Sequence, residues 1–450
     1  MKRQKWICLL LCAGIFLGLT ACGGTEKEGF DTEALEKDAR QCVENLVSGD
    51  YDSVVGEFNA TVSKQLDAKG LEDAWTTTVG SLGSFQEILE VTGEESKGYY
   101  VVNVLSRFEG NGLMTKLTYD SEGKIAGLWF SYQAVEAPEA TSTDLYEEIP
   151  IQVGAGESKV DGFLTLPKNV EKPPVVIFIQ GSGSTDMDET IGTAQNKPFQ
   201  DLAWGLAEKG IASVRYNKRF YQYPDEATAL GGNLTVGDEV LSDAAAAVAL
   251  ASSDERLDGD RIFILGHSLG GMLAPKIALD HPEVSGIISM AGTLRGLEDV
   301  ILDQNREAIA AADMTDEKKQ ETLTQVEAEV QKVKALTQGD ASVTILGISS
   351  VYWMSLKEST GTEIAERLTC PVLVLQGSAD FQVYPDKDYP LWEETLKSKT
   401  DFESHLYDGL NHLFMTTNGK RDVTEYNIAG HVSQTVIDDI AAWIGRVSQS

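Results

Sequence analysis

The stretch that decides the fold is Arg261-Ile262-Phe263-Ile264-Leu265-Gly266-His267-Ser268-Leu269-Gly270-Gly271. An apolar run typical of a buried strand leads into Gly-x-Ser-x-Gly, and a segment with helical spacing follows at residues 272–279. A serine that attacks a carbonyl must stand on a sharp strand-to-helix turn, and glycine on either side keeps that turn free of bulky side chains. The pattern predicts a nucleophile elbow at Ser268; the alternative is a glycine-rich turn without chemistry.

The chain has only five histidines, which narrows the search for a general base. His412 follows a strand-like segment in the loop at residues 408–414, from which an imidazole can lean over the sheet edge. His267 lies inside the elbow and is expected to point to the other side of the turn. His431 falls in the final helical stretch and is expected to be solvated. His412 is therefore the predicted general base.

The predicted acid follows a buried strand between these two residues. In folds with such an elbow the triad runs along the chain as serine, acid and histidine. The apolar run at residues 371–377 ends shortly before Asp380, which would hold the histidine in the proton-accepting tautomer. Asp386 and Asp388 are the alternatives, and the non-catalytic interpretation of Asp380 is a turn or helix cap.

Acyl transfer also needs backbone N–H donors aimed at the oxygen that becomes negative. One usually follows the nucleophile, and the other lies in the loop after an early strand. Leu269 follows Ser268, and the buried run at residues 175–180 ends in Gly181-Ser182-Gly183-Ser184. We predict an oxyanion hole formed by the amides of Ser182 and Leu269; the alternative for the glycine-rich segment is an ordinary strand-exit loop.

Residues from about 146 to the end resemble an α/β-hydrolase, and two segments narrow the branch. Residues 180–189 and 214–219 are similar to a bacterial carboxylesterase group related to prolyl-oligopeptidase-like and dienelactone-hydrolase-like enzymes. The chain departs from that group's usual proline, aspartate and glycine at Ser184, Asn217 and Phe220. The resemblance implies a mostly parallel sheet with a helical cap. It also implies hydrolysis of short acyl esters through an acyl-enzyme intermediate, without metal or organic cofactor.

The N-terminus predicts export and lipid attachment. Three basic residues precede an apolar run at residues 6–19, which is too short for a spanning helix and is typical of a signal peptide. Its end, Leu19-Thr20-Ala21-Cys22, resembles a bacterial lipobox. We therefore expect a lipoprotein signal peptide at 1–21, lipidation of Cys22, a tether at 22–29, and an extracytoplasmic protein anchored to the bacterial cell membrane. The alternative is a secretory signal with a chance cysteine.

Composition and charge limit the partners. The chain is 42% hydrophobic and 24% charged, which is enough apolar material for a sizeable core. Its net charge of -33 disfavours nucleic acid and anionic lipid surfaces. Outside the predicted signal and lipidation site only Cys42 and Cys370 remain, so neither a disulfide framework nor metal-ligand spacing is present. The expected partners are a small-molecule ester substrate and, through the lipid, the membrane.

The front of the chain predicts a second domain. Residues 30–133 have helical patterning followed by strand-like segments with glycine-containing turns, which indicates an α+β unit. This part resembles the small cystatin-like or NTF2-like accessory domain of the DUF3887 type found in some bacterial lipoprotein hydrolases. A linker is expected at 134–145, and the catalytic domain at 146–450.

The catalytic half contains an interruption at about 294–362 that predicts a cap. A long amphipathic helix is expected at residues 315–336. Tyr352 and Trp353 either line the substrate pocket or anchor the cap to the core. Lys218 and Arg219 are expected to form surface ion pairs, although one of them could bind a substrate carboxylate. Solvated turn residues are expected at Asp186, Asp188 and Glu189.

Together these features predict a serine carboxylesterase. The same triad serves peptidases and acyltransferases, and the sequence does not separate these reactions. A hypothesis from a different class is a binding lipoprotein in which the hydrolase half is an inactive scaffold. The complete set of predicted serine, acid, base and oxyanion loop argues for the enzyme.

Overall fold

The computed structural model describes residues 30–449, with gaps at 65, 80–81, 83–84, 97, 109–111, 134–139, 155–157, 193 and 313. The predicted signal peptide, the tether with Cys22, and the first half of the linker lie outside the described residues. No helix within the described ranges is long and apolar enough to cross a membrane. These residues form two compact units, one before residue 140 and one that comprises almost all of the chain from Ala140 onward.

The N-terminal unit consists of three helices followed by a four-stranded antiparallel meander. Asp31 and Asp50 cap the first two helices by accepting hydrogen bonds from backbone amides, which satisfies donors left unpaired at a helix start. Apolar side chains of the first helix pack on the sheet. The predicted α+β arrangement is confirmed. Its elements are α1 (Thr32–Ser48), α2 (Tyr51–Gly56), α3 (Ala68–Val79), β1 (Phe85–Ser96), β2 (Tyr99–Phe108), β3 (Gly112–Tyr119) and β4 (Ile125–Gln133).

The second unit is built on an eight-stranded sheet. Its strands and those of a short hairpin are β5 (Tyr146–Val153), β6 (Val160–Pro167), β7 (Val175–Ile179), β8 (Ala212–Tyr216), β9 (Ile262–His267), β10 (Val284–Met290), β11 (Thr344–Ile345), β12 (Ile348–Ser349), β13 (Val372–Gly377) and β14 (Phe402–Tyr407). The order across the sheet is β14-β13-β10-β9-β7-β8-β6-β5. The six strands from β14 to β8 pair in parallel, and β6 and β5 pair antiparallel at one edge. The mostly parallel α/β sheet that was predicted is confirmed.

Helices cover both faces of this sheet, which explains why the central strands are continuously apolar. Along β7, Val175 and Ile177 face a core shared with α7 and α8, whereas Val176 and Phe178 face a core shared with α4 and α14. The helices of this unit are α4 (Pro198–Glu208), α5 (Arg219–Gln222), α6 (Pro224–Leu230), α7 (Ser242–Ser253), α8 (Leu269–Asp280), α9 (Leu297–Ala311), α10 (Asp316–Ala335), α11 (Ser350–Lys357), α12 (Thr362–Ala365), α13 (Asp388–Leu396) and α14 (Gln434–Val447).

The cap lies between β10 and β13 and contains helices α9 to α12 with the β11–β12 hairpin. Helix α10 occupies the segment for which a long amphipathic helix was predicted. The Thr315 side chain caps it by accepting from the amide of Lys318. Val330 and Val333 are its buried residues, so most of α10 is a solvated helix that touches the core near its C-terminal end.

The turn between β9 and α8 leaves no room for side chains at its glycines. A Cβ atom added at Gly266 would lie 2.1 Å from the carbonyl oxygen of Gly270. One added at Gly270 would lie 2.0 Å from the carbonyl oxygen of Ile179 on β7. Both distances are far below van der Waals contact with backbone atoms, so strand, turn and helix approach this closely only with glycine at both positions.

We predict that Gly270→Ala lowers the free energy of unfolding by about 3 kcal/mol, because the new methyl group forces backbone atoms apart. The matched control is Gly445→Ala in α14, where an added Cβ meets nothing within 4 Å. That change should raise stability by up to about 1 kcal/mol, the helix-propensity difference between glycine and alanine. Thermal and urea unfolding check both values. Equal stability of the two variants would contradict the close packing of the elbow.

Candidate active site

Ser268 stands at the turn between β9 and α8 with a backbone φ of 54°, a left-handed conformation that is unusual for serine. Its amide donates to the carbonyl of Met290 at 2.9 Å, which ties the turn to the end of β10. The residue is partly exposed, whereas its neighbours His267 and Leu269 are buried. The backbone thus presents a single hydroxyl at the carboxyl edge of the sheet.

His412 and Asp380 are brought together from loops that follow two neighbouring strands, β14 and β13. The Nδ1 atom of His412 lies 2.8 Å from Oδ2 of Asp380. The aspartate is 0% exposed and the histidine 3% exposed. A carboxylate oxygen accepts hydrogen bonds and does not donate them, so Nδ1 of His412 carries the hydrogen of this bond. The bond therefore fixes the imidazole tautomer and leaves Nε2 as the proton acceptor.

Asp380 is held by three further donors. Its Oδ1 accepts from the amides of Gln382 and Val383, at 2.8 and 3.0 Å, and its Oδ2 accepts from the Gln376 side chain at 2.8 Å. These bonds give both oxygens of the buried carboxylate hydrogen-bond partners. Of the two alternatives, Asp388 is buried in an ion pair with Arg295, and its carboxylate also accepts from the amide of Tyr384. Among the three aspartates of this region, only Asp380 has a hydrogen bond to His412 in the described chain.

The segment after β7 lies directly beside Ser268. A Cβ atom added at Gly181 would be 3.2 Å from Cβ of Ser268, so the two residues are closely packed. Gly183 has a φ of 91°, a conformation that favours glycine. Ser182 between them is exposed, and its amide has no acceptor among the described residues. Leu269 is the first residue of α8, where backbone amides lack acceptors within the helix.

His267 and Glu189 form a buried charge pair next to the turn that carries Ser268. The Nε2 of His267 lies 2.9 Å from the carbonyl oxygen of His412, and its Nδ1 lies 3.0 Å from Oε2 of Glu189, an ion-pair contact outside hydrogen-bond alignment. Both neighbours are acceptors, which favours the charged imidazolium. Burial acts against this charge, but the Glu189 carboxylate, the His412 carbonyl and the nearby Asp380 carboxylate together outweigh it and raise the pKa of His267. Oε1 of Glu189 accepts from the amide of Gly181 at 2.6 Å.

The expectation that the acids after the oxyanion loop are solvated turn residues is wrong for two of them. Asp188 and Glu189 are buried, and Asp188 lies 2.8 Å from the buried guanidinium of Arg215, which also pairs with Glu148. Asp186 is partly exposed. A charge removed from water needs a partner, and these carboxylates find theirs on distant strands.

The ion pairs expected for Lys218 and Arg219 form, but not at the surface. Lys218 is 4% exposed and pairs with Glu239 at 2.6 Å. Arg219 is mostly buried and pairs with Asp243 and Glu226. Both basic side chains after β8 thus point toward carboxylates inside the unit and not toward solvent.

Tyr352 and Trp353 are both buried in the core. The indole N–H of Trp353 donates to the carbonyl of Ile345 at 2.9 Å, and the hydroxyl of Tyr352 donates to Glu239 at 2.5 Å. The sequence left two roles open for these residues, lining the substrate pocket or anchoring the cap to the core. These contacts match the anchoring role.

The site therefore combines a strained serine, a buried imidazole with a fixed tautomer, and backbone amides without acceptors beside the serine. This arrangement suits attack on a carbonyl and stabilisation of the resulting oxyanion. Together with the sheet order, it defines a serine hydrolase of the α/β class.

Comparison with known proteins agrees with this class. A family model described as "Serine aminopeptidase, S33" matches residues 194–418, and one described as "Protein of unknown function (DUF3887)" matches residues 39–128. Esterase EstD of Thermotoga maritima is 34% identical over 442 residues, which cover 97% of this chain and 99% of that protein.

Two solved esterase structures are also similar. Est1E from Butyrivibrio proteoclasticus is 16% identical, covers 67% of this chain and 99% of its own, and gives a TM-score of 0.41. The esterase domain of a Rhodothermus marinus protein is 15% identical, covers 66% of this chain and 98% of its own, and gives a TM-score of 0.40.

The chain belongs to the α/β-hydrolase esterases that carry a DUF3887 domain in front of the catalytic domain. It is a carboxylesterase-type hydrolase. The family and the accessory domain predicted from the sequence are thereby confirmed.

We predict that Glu189→Gln lowers the pKa of His267, because burial then acts without the opposing carboxylate. Because the pKa of His267 is raised in the folded protein, the His267–Glu189 pair stabilises the fold fully at pH values below the ordinary histidine pKa of about 6.5. This stabilisation is lost as the pH rises through the pKa of His267 in the folded protein. NMR titration of histidine-labelled protein measures the pKa directly. His431, whose side chain is 87% exposed, serves as the internal control. An unchanged pKa of His267 would contradict the charge pair.

Proposed function

We propose that Ser268, His412 and Asp380 form a catalytic triad that hydrolyses short acyl esters through an acyl-enzyme. The observation that carries the proposal is the buried hydrogen bond between His412 and Asp380, from loops at the sheet edge where the strained Ser268 emerges. A surface histidine needs no such support, whereas a general base needs a fixed tautomer.

In the first half-reaction, the Ser268 hydroxyl adds to the ester carbonyl while Nε2 of His412 takes its proton. The C=O π bond breaks, and its electron pair moves to the oxygen. Asp380 stabilises the imidazolium without itself taking the proton. Collapse of the tetrahedral intermediate expels the alcohol, which receives the proton from His412, and leaves the acyl group on Ser268.

In the second half-reaction, a water molecule gives its proton to His412 and adds to the acyl carbonyl. The second intermediate collapses to a carboxylic acid, and the serine regains its proton. The amides of Ser182 and Leu269 stabilise the oxyanion in both halves. Each donor of this kind contributes about 10²- to 10³-fold to the rate in other enzymes.

A peptidase is the second candidate, because the description of the matching family model names a serine aminopeptidase. Amide and ester hydrolysis share these steps and differ in the leaving group. The ester is the preferred substrate class because the relative aligned over nearly the whole chain is named an esterase. Acyl transfer follows the same scheme when an alcohol replaces water.

We predict that Ser268→Ala and His412→Ala each lower kcat/KM for p-nitrophenyl butyrate by about 10⁵-fold or more, and Asp380→Asn by about 10⁴-fold. The reason is the loss of nucleophile, base or correct tautomer. Steady-state kinetics on the purified protein measure these values, with aminoacyl p-nitroanilides in parallel to compare peptidase activity.

Matched controls are Ser285→Ala, His431→Ala and Asp386→Asn. Ser285 bonds the carbonyl of Asp260 near the start of β10, and His431 is exposed. Full activity of the controls with loss in the triad variants is the expected result. Unchanged hydrolysis in Ser268→Ala would contradict the triad and turn attention to a binding role for the N-terminal unit. Faster turnover of aminoacyl anilides than of esters would favour the peptidase.

We also propose that the mature protein is anchored through a lipid on Cys22, outside the cytoplasmic membrane. The support is the lipobox-like Leu19-Thr20-Ala21-Cys22 behind a basic and apolar N-terminus. Labelled palmitate fed to expressing bacteria should appear on the wild type and not on Cys22→Ala, with Cys42→Ala as the matched control. Equal labelling of both cysteine variants would contradict the assignment.

A further inference from the structure

Gly181 is held at both of its backbone polar groups by buried charged side chains. Its amide donates to Oε1 of Glu189 at 2.6 Å, and its carbonyl oxygen accepts from Nζ of Lys218 at 2.8 Å. Three hydrogen bonds further join this loop to the turn after β8. The amide of Lys218 donates to the carbonyl of Thr185, the Gln180 side chain donates to the carbonyl of Tyr216, and the Asn217 side chain accepts from the amide of Met187.

The carbonyl of Gly181 and the amide of Ser182 belong to one peptide unit. That unit is planar, and no cis peptide occurs in the described chain, so the C=O and N–H bonds point in opposite directions. A carbonyl drawn toward Lys218 therefore turns the Ser182 N–H away from Lys218. Gly181 packs against Cβ of Ser268, and the Ser182 amide has no acceptor among the described residues. The Ser182 N–H can therefore donate a hydrogen bond to a ligand bound at Ser268.

Lys218 is itself fixed. Its ammonium group pairs with Oε1 of Glu239 at 2.6 Å, on the π-helical segment Gly237–Leu241. The other carboxylate oxygen accepts from the Tyr352 hydroxyl on cap helix α11. Burial and the nearby Glu239 carboxylate raise the pKa of Tyr352 well above its usual value, so this hydroxyl stays protonated and donates. The ammonium thus has two acceptors and little freedom to leave the Gly181 carbonyl.

We propose that Lys218 is a positioning residue that orients the Gly181-Ser182 peptide so that the Ser182 amide points at the oxyanion, with Glu239 and Tyr352 holding the lysine in place. This inference deepens the proposed function and rests on it for the position of the oxyanion. Lys218 touches neither substrate nor reacting atoms and acts through the peptide unit.

The consequence for kinetics is specific. An oxyanion donor interacts with charge that develops in the transition state, so its misorientation lowers kcat and leaves KM nearly unchanged. A cationic hydrogen bond to the Gly181 carbonyl also polarises the peptide and strengthens the Ser182 N–H as a donor. Both effects vanish with the ammonium group.

The test compares Lys218→Met with Lys276→Met, a lysine of α8 that pairs with Asp280. For p-nitrophenyl butyrate we expect kcat to fall about 10²-fold in Lys218→Met, with KM within about threefold of the wild type. Affinity for a trifluoromethyl ketone, which forms an oxyanion on the nucleophile, should fall by a similar factor. Lys276→Met should match the wild type in all three values.

A double variant separates positioning from charge imbalance. Lys218→Met alone leaves the Glu239 carboxylate without its cation, and Lys218→Met/Glu239→Gln removes both charges. If positioning is the role, the double variant regains thermal stability but not kcat. Recovery of kcat in the double variant, or a wild-type kcat in Lys218→Met, would overturn the proposal. A wild type without Ser268-dependent turnover would overturn the proposed function and this inference together, so the two failures are distinguishable.

A direct readout of the amide comes from carbonyl-¹³C glycine and ¹⁵N-serine labelling, since the chain has five Gly-Ser pairs. Ser182→Ala identifies the correlation of this pair by its loss. On binding the trifluoromethyl ketone, the Ser182 amide proton should move downfield in the wild type and much less in Lys218→Met. Equal shifts in both proteins would overturn the positioning role.

Discussion

The strained backbone at Ser268 marks the point where β7, β9, β10 and α8 meet. A serine with a φ of 54° is costly, and it persists because the surroundings hold it from several sides. The amide is tied to Met290, and the glycines before and after it let β7, β9 and α8 meet at distances that exclude any other residue. The carboxyl edge of the sheet then supplies the loops that carry the proposed acid, the proposed base and the proposed oxyanion segment.

Buried charge pairs fix those loops. Glu189 faces His267, Lys218 pairs with Glu239, and Arg215 joins Glu148 with Asp188. Each pair links residues that are at least 21 positions apart in the chain. An ion removed from water is tolerated only with well-placed partners, so such pairs specify one arrangement of the loops. Buried charges thus join the loops that surround Ser268 to one another.

The parts of the site that the sequence predicted have local signatures. Ser268, Asp380 and Ser182 each follow an apolar run at a glycine-containing turn, and the scarcity of histidine singled out His412. Whether these residues act as a triad is still a proposal, but their positions in the fold were readable. The α+β unit followed from periodicity, because strands and amphipathic helices have distinct patterns, whereas the mostly parallel sheet was expected from the family resemblance.

The supporting charges could not be read in the same way. Lys218 and Glu189 stand in polar segments that follow β8 and β7, where charged residues are normally solvated, and their burial depends on partners 21 and 78 positions away along the chain. The sequence predicts that His267 points to the other side of the turn from Ser268. In the structure its ring centroid lies 4.7 Å from that of His412, and its Nε2 lies 2.9 Å from the backbone carbonyl oxygen of His412. The sequence contains one clue, an acidic loop after β7 and a basic turn after β8. These two strands are neighbours in the sheet, and the clue can be interpreted only when the strand order is known.

The proposed role of Ser268 as nucleophile can be tested by locating a covalent adduct. The purified protein is treated with a fluorophosphonate probe, digested and mapped by tandem mass spectrometry. We expect one stoichiometric phosphonate on Ser268, formed faster than on any other serine and prevented by prior binding of an ester substrate. An adduct on a different serine, or none on a protein that still hydrolyses esters, would contradict this role.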